Sequence, residues 1–148
     1  VGHIGLTPQH ISQLGGYKAQ GTNLETATRV IEDALAVEKA GAFAIILECV
    51  PDQISKIVTE RLNIPTISYG AGIHCDGQGL VAHDILGIFD KFTPKFVKQY
   101  SNLGKQIQDV FEEYIDDVVN QKFPEDEHSF HIKKDQLDAV IKRNSHIN

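Results

Sequence analysis

The 148-residue chain contains no methionine and only two cysteines, Cys49 and Cys75. Two thiols do not make a disulfide framework, so a reducing compartment, the cytoplasm, is the simplest expectation. The missing Met, together with an opening directly in the motif Val1-Gly2-His3-Ile4-Gly5, suggests part of a longer protein. Basic clusters are scarce too. Only Lys133-Lys134 and Lys142-Arg143 stand out, and 14 basic against 20 acidic residues give a formal charge of −6. That balance argues against nucleic acid and anionic lipid as partners. The longest wholly apolar run, Ala42 to Leu47, has six residues, far short of the roughly 20 that span a bilayer. No signal-peptide pattern is expected at the start. There are no internal repeats and no low-complexity segments. The remainder reads as one globular domain with one core.

The pattern alternates strands and helices. Val1 to Leu6 reads as the end of a buried strand, followed by a polar, glycine-rich segment from Thr7 to Asn23. Leu24, Ala27, Val30, Ile31, Ala34 and Leu35 make one apolar stripe, predicting a helix over Leu24 to Ala40 with Asn23 or Thr22 as its cap. Ala42 to Leu47 reads as a strand buried on both faces. A second helix is expected over Gln53 to Leu62, capped by Asp52, and a third strand over Ile64 to Ser68. Gln78 to Ala82 reads as a fourth strand closed by His83-Asp84. Helices are expected over Phe92 to Tyr100 and Gly104 to Asn120, with a short one near Asp135 to Ile141. Such alternation implies parallel strands with helical crossovers, either a small open α/β sheet or half of a (β/α)8 barrel. Both place chemistry at the C-terminal ends of the strands.

Those ends carry His3, Glu48, the Tyr69-Gly70-Ala71-Gly72 turn and His83-Asp84. Glu48 follows six apolar residues. Lost solvation there favours the neutral acid and suits a general base near neutral pH, although a solvated or Lys-paired strand-end Glu is the plainer alternative. His3 is placed to hydrogen-bond a substrate carbonyl or carboxylate, or else is satisfied by backbone. His74, Cys75, Asp76, His83 and Asp84 fit no zinc spacing. Gly70-Ala71-Gly72 offers a weak anion-nest signal. Cys49, beside a carboxylate, is a poor nucleophile.

Several motifs in fixed order then carry a resemblance. Gly2-His3-Ile4-Gly5-Leu6-Thr7-Pro8-Gln9, Gly15-Gly16-Tyr17-Lys18-Ala19-Gln20-Gly21 and Leu47-Glu48-Cys49-Val50-Pro51 are followed by Gly70-Ala71-Gly72, Cys75-Asp76-Gly77-Gln78, His83-Asp84, Pro94-Lys95-Phe96-Val97-Lys98 and Phe123-Pro124. With Glu127-His128-Ser129-Phe130, they make Val1 to His131 resemble the ketopantoate hydroxymethyltransferases. The resemblance implies an α/β chain forming the second half, strands five to eight with their helices, of a (β/α)8 TIM barrel of the phosphoenolpyruvate-binding type. Residues 1–124 would form that half barrel and 125–148 a polar tail. It further implies transfer of a one-carbon unit from 5,10-methylenetetrahydrofolate to 3-methyl-2-oxobutanoate, giving 2-dehydropantoate in pantothenate biosynthesis. Glu48 would be the base and His3 would line the 2-oxoacid pocket. Mg²⁺ would act as a Lewis acid on the enolate oxygen, with ligands from strands before Val1 rather than from this chain. The N-terminal half of the barrel and a cytoplasmic homo-oligomer, often a decamer, are the implied partners. Ser68 and Tyr69 depart from the small residues common before Gly-Ala-Gly in that family. The alternative expectation is a non-catalytic half barrel that self-associates or binds a partner, since its edge strands would otherwise be unpaired.

Overall fold

A computed structural model describes residues 1–89 and 91–145; the end of the expected tail, 146–148, lies outside the described residues. The chain divides into two compact units, Val1–Gly104 and Lys105–Asn148.

The first unit is built on four parallel strands in sequential order, β1 (Gly2–Gly5), β2 (Ile45–Glu48), β3 (Thr66–Tyr69) and β4 (Gly77–Gln78). Helices α1 (Leu24–Lys39) and α2 (Asp52–Arg61) connect the first three strands. Ile4, Ile45 and Leu47 pack with Val30 and Ala34 of α1 and Val58 of α2 in one core. Thr66 and Ser68 of β3 are buried too. His3, Ile46, Glu48, Ile67 and Tyr69, at the alternate positions, keep intermediate exposure. Successive strand residues point to opposite faces, so these five share the other face of the sheet.

Asn23 caps α1 as expected: its side chain accepts from the Thr26 N–H at 2.9 Å, and Thr26 Oγ1 accepts in return from the Asn23 N–H. Asp52 is instead the first residue of α2, after Pro51, and its Oδ1 accepts from the Gln53 N–H at 3.0 Å. Ser55 and Thr59 give α2 a polar inner stripe. Ser55 Oγ donates to the Ala71 carbonyl, and Thr59 Oγ1 lies 2.9 Å from Thr66 Oγ1.

Two expected elements differ. The fourth strand is only Gly77–Gln78, and Ala82–Ile85 form a short helix, α3, so His83-Asp84 stand on a helical turn rather than a strand end. Phe92 to Tyr100 form no helix. The reason is Pro94. Its ring disfavours helical geometry at Thr93, and only an isolated turn follows, with the Val97 N–H on the Pro94 carbonyl at 3.0 Å.

The second unit begins in the first turn of α4 (Leu103–Val119) and continues through a 3-10 turn at Asp126–His128 to α5 (Lys134–Asn144). Phe123 packs edge-on against Tyr114, with ring centroids 5.8 Å apart, and lies 5.2 Å from the His128 ring. Lys122 reaches back to Asp116 at 2.7 Å. No helix among the described residues is long and apolar enough to cross a membrane.

Candidate active site

The site is assembled at the end of β2. Gly5, Glu48 and Tyr69 are in register across three strands. His3 is therefore the diagonal neighbour of Glu48 on the same face, a spacing that long side chains bridge. Its Nε2 lies 3.0 Å from Glu48 Oε2. The two side chains retain 30% and 22% exposure, enough for a substrate to reach them and too little for full hydration.

Glu48 is held by its backbone as well. Its carbonyl accepts from the Leu6 N–H at 2.8 Å. A Cβ at Gly5 would come within 2.3 Å of that same oxygen, and φ at Gly5 is +84°, so only glycine lets β1 approach here. Cys49 follows with φ of +50°, a left-handed conformation that is strained for a residue with a side chain. Its N–H donates to the Tyr69 carbonyl at 2.9 Å, and its carbonyl accepts from the Gln20 N–H at 2.8 Å. Those bonds hold the strained turn and fix where Glu48 points. Burial, with a smaller contribution from Glu48, pushes the Cys49 thiol above its ordinary value, which fits a thiol that stays protonated.

Glu48 opens into a cleft of about 860 Å³. Its walls include Tyr17, Pro51, Phe92 and Phe96, with Asp52, Asp84 and Lys95 as charged lining residues. His3 faces a second, more open hollow beside α1, lined also by His10 and Asp33. The His3–Glu48 pair thus stands where the two meet.

The other strand-end residues take different roles. Ala71 of the Gly70-Ala71-Gly72 turn spends its N–H on Ser68 Oγ at 2.9 Å, so that donor does not face an anion. Cys75 is buried in the core. Asp76 Oδ2 accepts from the Thr66 N–H at 2.9 Å and from Thr66 Oγ1 at 3.0 Å, which holds its carboxyl below the usual range. Tyr69 lies over Gly79, where a Cβ would come within 2.2 Å of its ring. Its ring fills the space that a side chain at Gly79 would take.

Among the described residues the strand ends bring no set of three metal-type ligand atoms together. Among the described residues the single set of three convergent ligands is Glu125, Glu127 and His128, all exposed on the 3-10 turn of the second unit. Magnesium prefers near-octahedral oxygen coordination with one or two carboxylates. Glu48 already engages His3, and Asp52 engages its own helix.

A family model, ketopantoate hydroxymethyltransferase, matches residues 1–126. The chain belongs to this family. A 3-methyl-2-oxobutanoate hydroxymethyltransferase of Clostridium botulinum (strain Alaska E43 / Type E3) is 54% identical over 140 residues, covering 95% of this chain and 51% of the relative. Proteins of the same name from Clostridioides difficile (strain 630) and Syntrophus aciditrophicus (strain SB) are each 52% identical, over 140 and 130 residues. The chain spans about half the length of the curated relatives it matches.

Within this chain, the motifs Gly2–Gln9 and Leu47–Pro51 meet at the His3–Glu48 pair. Reading the residues for chemistry overlooked Asp52, Lys95 and Phe96 as cleft residues. Their one sequence signal was membership of, or adjacency to, the Val50-Pro51 and Pro94-Lys95-Phe96 motifs.

Proposed function

We propose that this chain is the C-terminal half of a (β/α)8 barrel, residues 1–124 forming the barrel part and 125–148 its tail. In the complete enzyme it would transfer a one-carbon unit from 5,10-methylenetetrahydrofolate to 3-methyl-2-oxobutanoate, giving 2-dehydropantoate. The observation that carries this is the half-buried Glu48 carboxylate, held by His3 at the C-terminal end of β2. Sequential, all-parallel strand order supports an arc of a barrel, because doubly wound sheets reverse their order at a switch point.

On this reading Glu48 takes the proton from C3 of the 2-oxoacid. The C–H pair becomes the C2=C3 bond and the carbonyl pair moves onto oxygen, giving an enolate whose C3 then attacks the methylene carbon. One methylene C–N bond breaks with its electron pair returning to that folate nitrogen. Water displaces the other folate nitrogen, leaving the hydroxymethyl group on C3 and releasing tetrahydrofolate. With the imidazole Nε2–H donated to Oε2, Oε1 is left to receive the proton, and His3 borders the 2-oxoacid pocket. Magnesium would be held outside this chain, by the N-terminal half of the barrel. That half and a homo-oligomer, such as a decamer, are the proposed partners. Two free thiols suit a cytoplasmic setting.

A second reading, a non-catalytic half barrel that pairs with itself or a partner, draws on the terminal positions of β1 and β4 in the sheet, which leave two unpaired edges. The test uses the full-length barrel with Mg²⁺ and both substrates. Glu48→Gln is expected to lower the turnover by about a thousandfold and to abolish exchange of the C3 hydrogen with solvent. Near-normal turnover in that variant removes Glu48 as the base.

A further inference from the structure

The face of the sheet that carries Glu48 is ordered across the strands. Nearest the strand ends, Gly5, Glu48 and Tyr69 are in register. One row below are His3, Ile46, Ile67 and Gly77. Residues two apart on a strand share a face. Glu48 therefore stands between His3 on the β1 side and Tyr69 on the β3 side, above an apolar floor of Ile46 and Ile67. Gly79 follows Gly77 by two residues, and its N–H donates to the Ser68 carbonyl at 2.8 Å. That brings Gly79 beside Tyr69, whose ring occupies its space: a Cβ on Gly79 would overlap Cε2 and Cζ and lie 2.7 Å from Oη. The Tyr69 backbone is fixed as well, because its carbonyl accepts from the Cys49 N–H at 2.9 Å. The ring is thus a wall on the β4 side of Glu48, backed by the Gly79 backbone.

We propose that Tyr69 sets the length of the 2-oxoacid side chain that Glu48 can deprotonate. The proposal rests on the hydroxymethyl-transfer reading and deepens it by orienting the 2-oxoacid. The carboxylate and ketone lie on the His3 side, and the branched alkyl end lies over Ile67 against the Tyr69 ring. Polar groups stand on one side of Glu48, whereas isoleucine and an aromatic ring stand on the other, and alkyl groups leave water for apolar surface. C3 carries both the reacting hydrogen and the alkyl groups, so a substrate laid in this direction brings C3 to the carboxylate between them. An extra methylene at the alkyl end meets a ring that cannot withdraw, since the Gly79 backbone lies behind it. Forced overpacking of that kind is costly.

The test uses a protein of the relatives' full length with Mg²⁺ and the folate donor. It compares kcat/KM for 3-methyl-2-oxobutanoate with that for 3-methyl-2-oxopentanoate, which is one methylene longer. A ratio of two kcat/KM values does not depend on how much of a variant folds, so a destabilised variant still reports. Tyr69→Ala is expected to raise the relative kcat/KM of the longer acid about tenfold or more, which is what one methylene is worth in an apolar pocket. Tyr69→Phe should keep the wild-type ratio within about twofold, because the ring rather than the hydroxyl is the wall. Gly79→Ala should move the ratio the other way, severalfold, by pushing the ring towards the substrate. An unchanged ratio in Tyr69→Ala overturns the proposal. So does a shift in Tyr69→Phe as large as that in Tyr69→Ala. Failure of the transfer reading is distinguishable, because it appears as turnover retained in Glu48→Gln whatever the ratios give.

Discussion

Helices α1 and α4 are nearly equal in length, 16 and 17 residues, and both carry an apolar stripe. Helix α1 buries Val30 and Ala34 against β1 and β2. Helix α4 buries none of its residues, and Ile107, Val110, Phe111, Tyr114, Ile115 and Val118 are all exposed. The contrast extends to the whole chain: among the described residues the last buried one is Gly87. An amphipathic pattern thus records the surface a helix is made to meet. It does not show that the surface lies in the same chain. A chain spanning half the length of its relatives fits that lesson.

The largest effect that would sharpen the contrast is Leu47→Ala. Leu47 is fully buried in the core with Ile4, Val30, Ala34 and Val58. Its truncation is expected to destabilise this chain by about 2–5 kcal/mol, read as a lower urea midpoint. A loss under about 1 kcal/mol would mean that the first unit is as loosely packed as the second. Gly70→Ala comes next, at about 1–3 kcal/mol, because alanine must adopt φ near +73° and push against Phe96. An unchanged urea midpoint would show that the Gly70 turn yields without strain.

Much of the first unit was legible in the sequence. Periodicity located α1 and α2, and the unbroken run ending in Glu48 marked β2 and the strand end where the candidate site lies. What could not be read depends on register. His3 and Glu48 are 45 residues apart and meet only because Gly5 pairs with Glu48. No local pattern states that alignment. The segment from Phe92 to Tyr100, expected as a helix, is not one because the steric constraint of Pro94 decides the local backbone. Asp76 was grouped with metal-type residues, since its type and spacing do not reveal a hydrogen bond to a strand ten residues earlier.

Asp76→Asn probes that bond. Its folded carboxyl is held below the ordinary 3.8 by the Thr66 N–H and hydroxyl. The contribution is therefore fully present above that value and is lost as pH falls through the lower, folded one. At neutral pH the variant is expected to be less stable by about 1 kcal/mol, since the side chain is exposed to solvent. The gap between the two proteins should close progressively in urea titrations run below about pH 4. A gap that persists unchanged into strong acid would mean that the charge contributes nothing.

The smallest expected effect is the one that bears on α4. Phe111 is 62% exposed, so Phe111→Ala in this chain should change the urea midpoint by less than about 0.5 kcal/mol, as surface substitutions do. In a protein of the relatives' full length the same substitution is expected to cost about 3 kcal/mol or more if this helix face is covered there, because a covered aromatic ring behaves as a core residue. The difference between the two measurements reads how far α4 is covered in the longer protein. Equal, small costs in both proteins would mean that the α4 stripe faces solvent in the longer protein as well. The contrast between α1 and α4 would then reflect two kinds of helix rather than one helix lacking its partner.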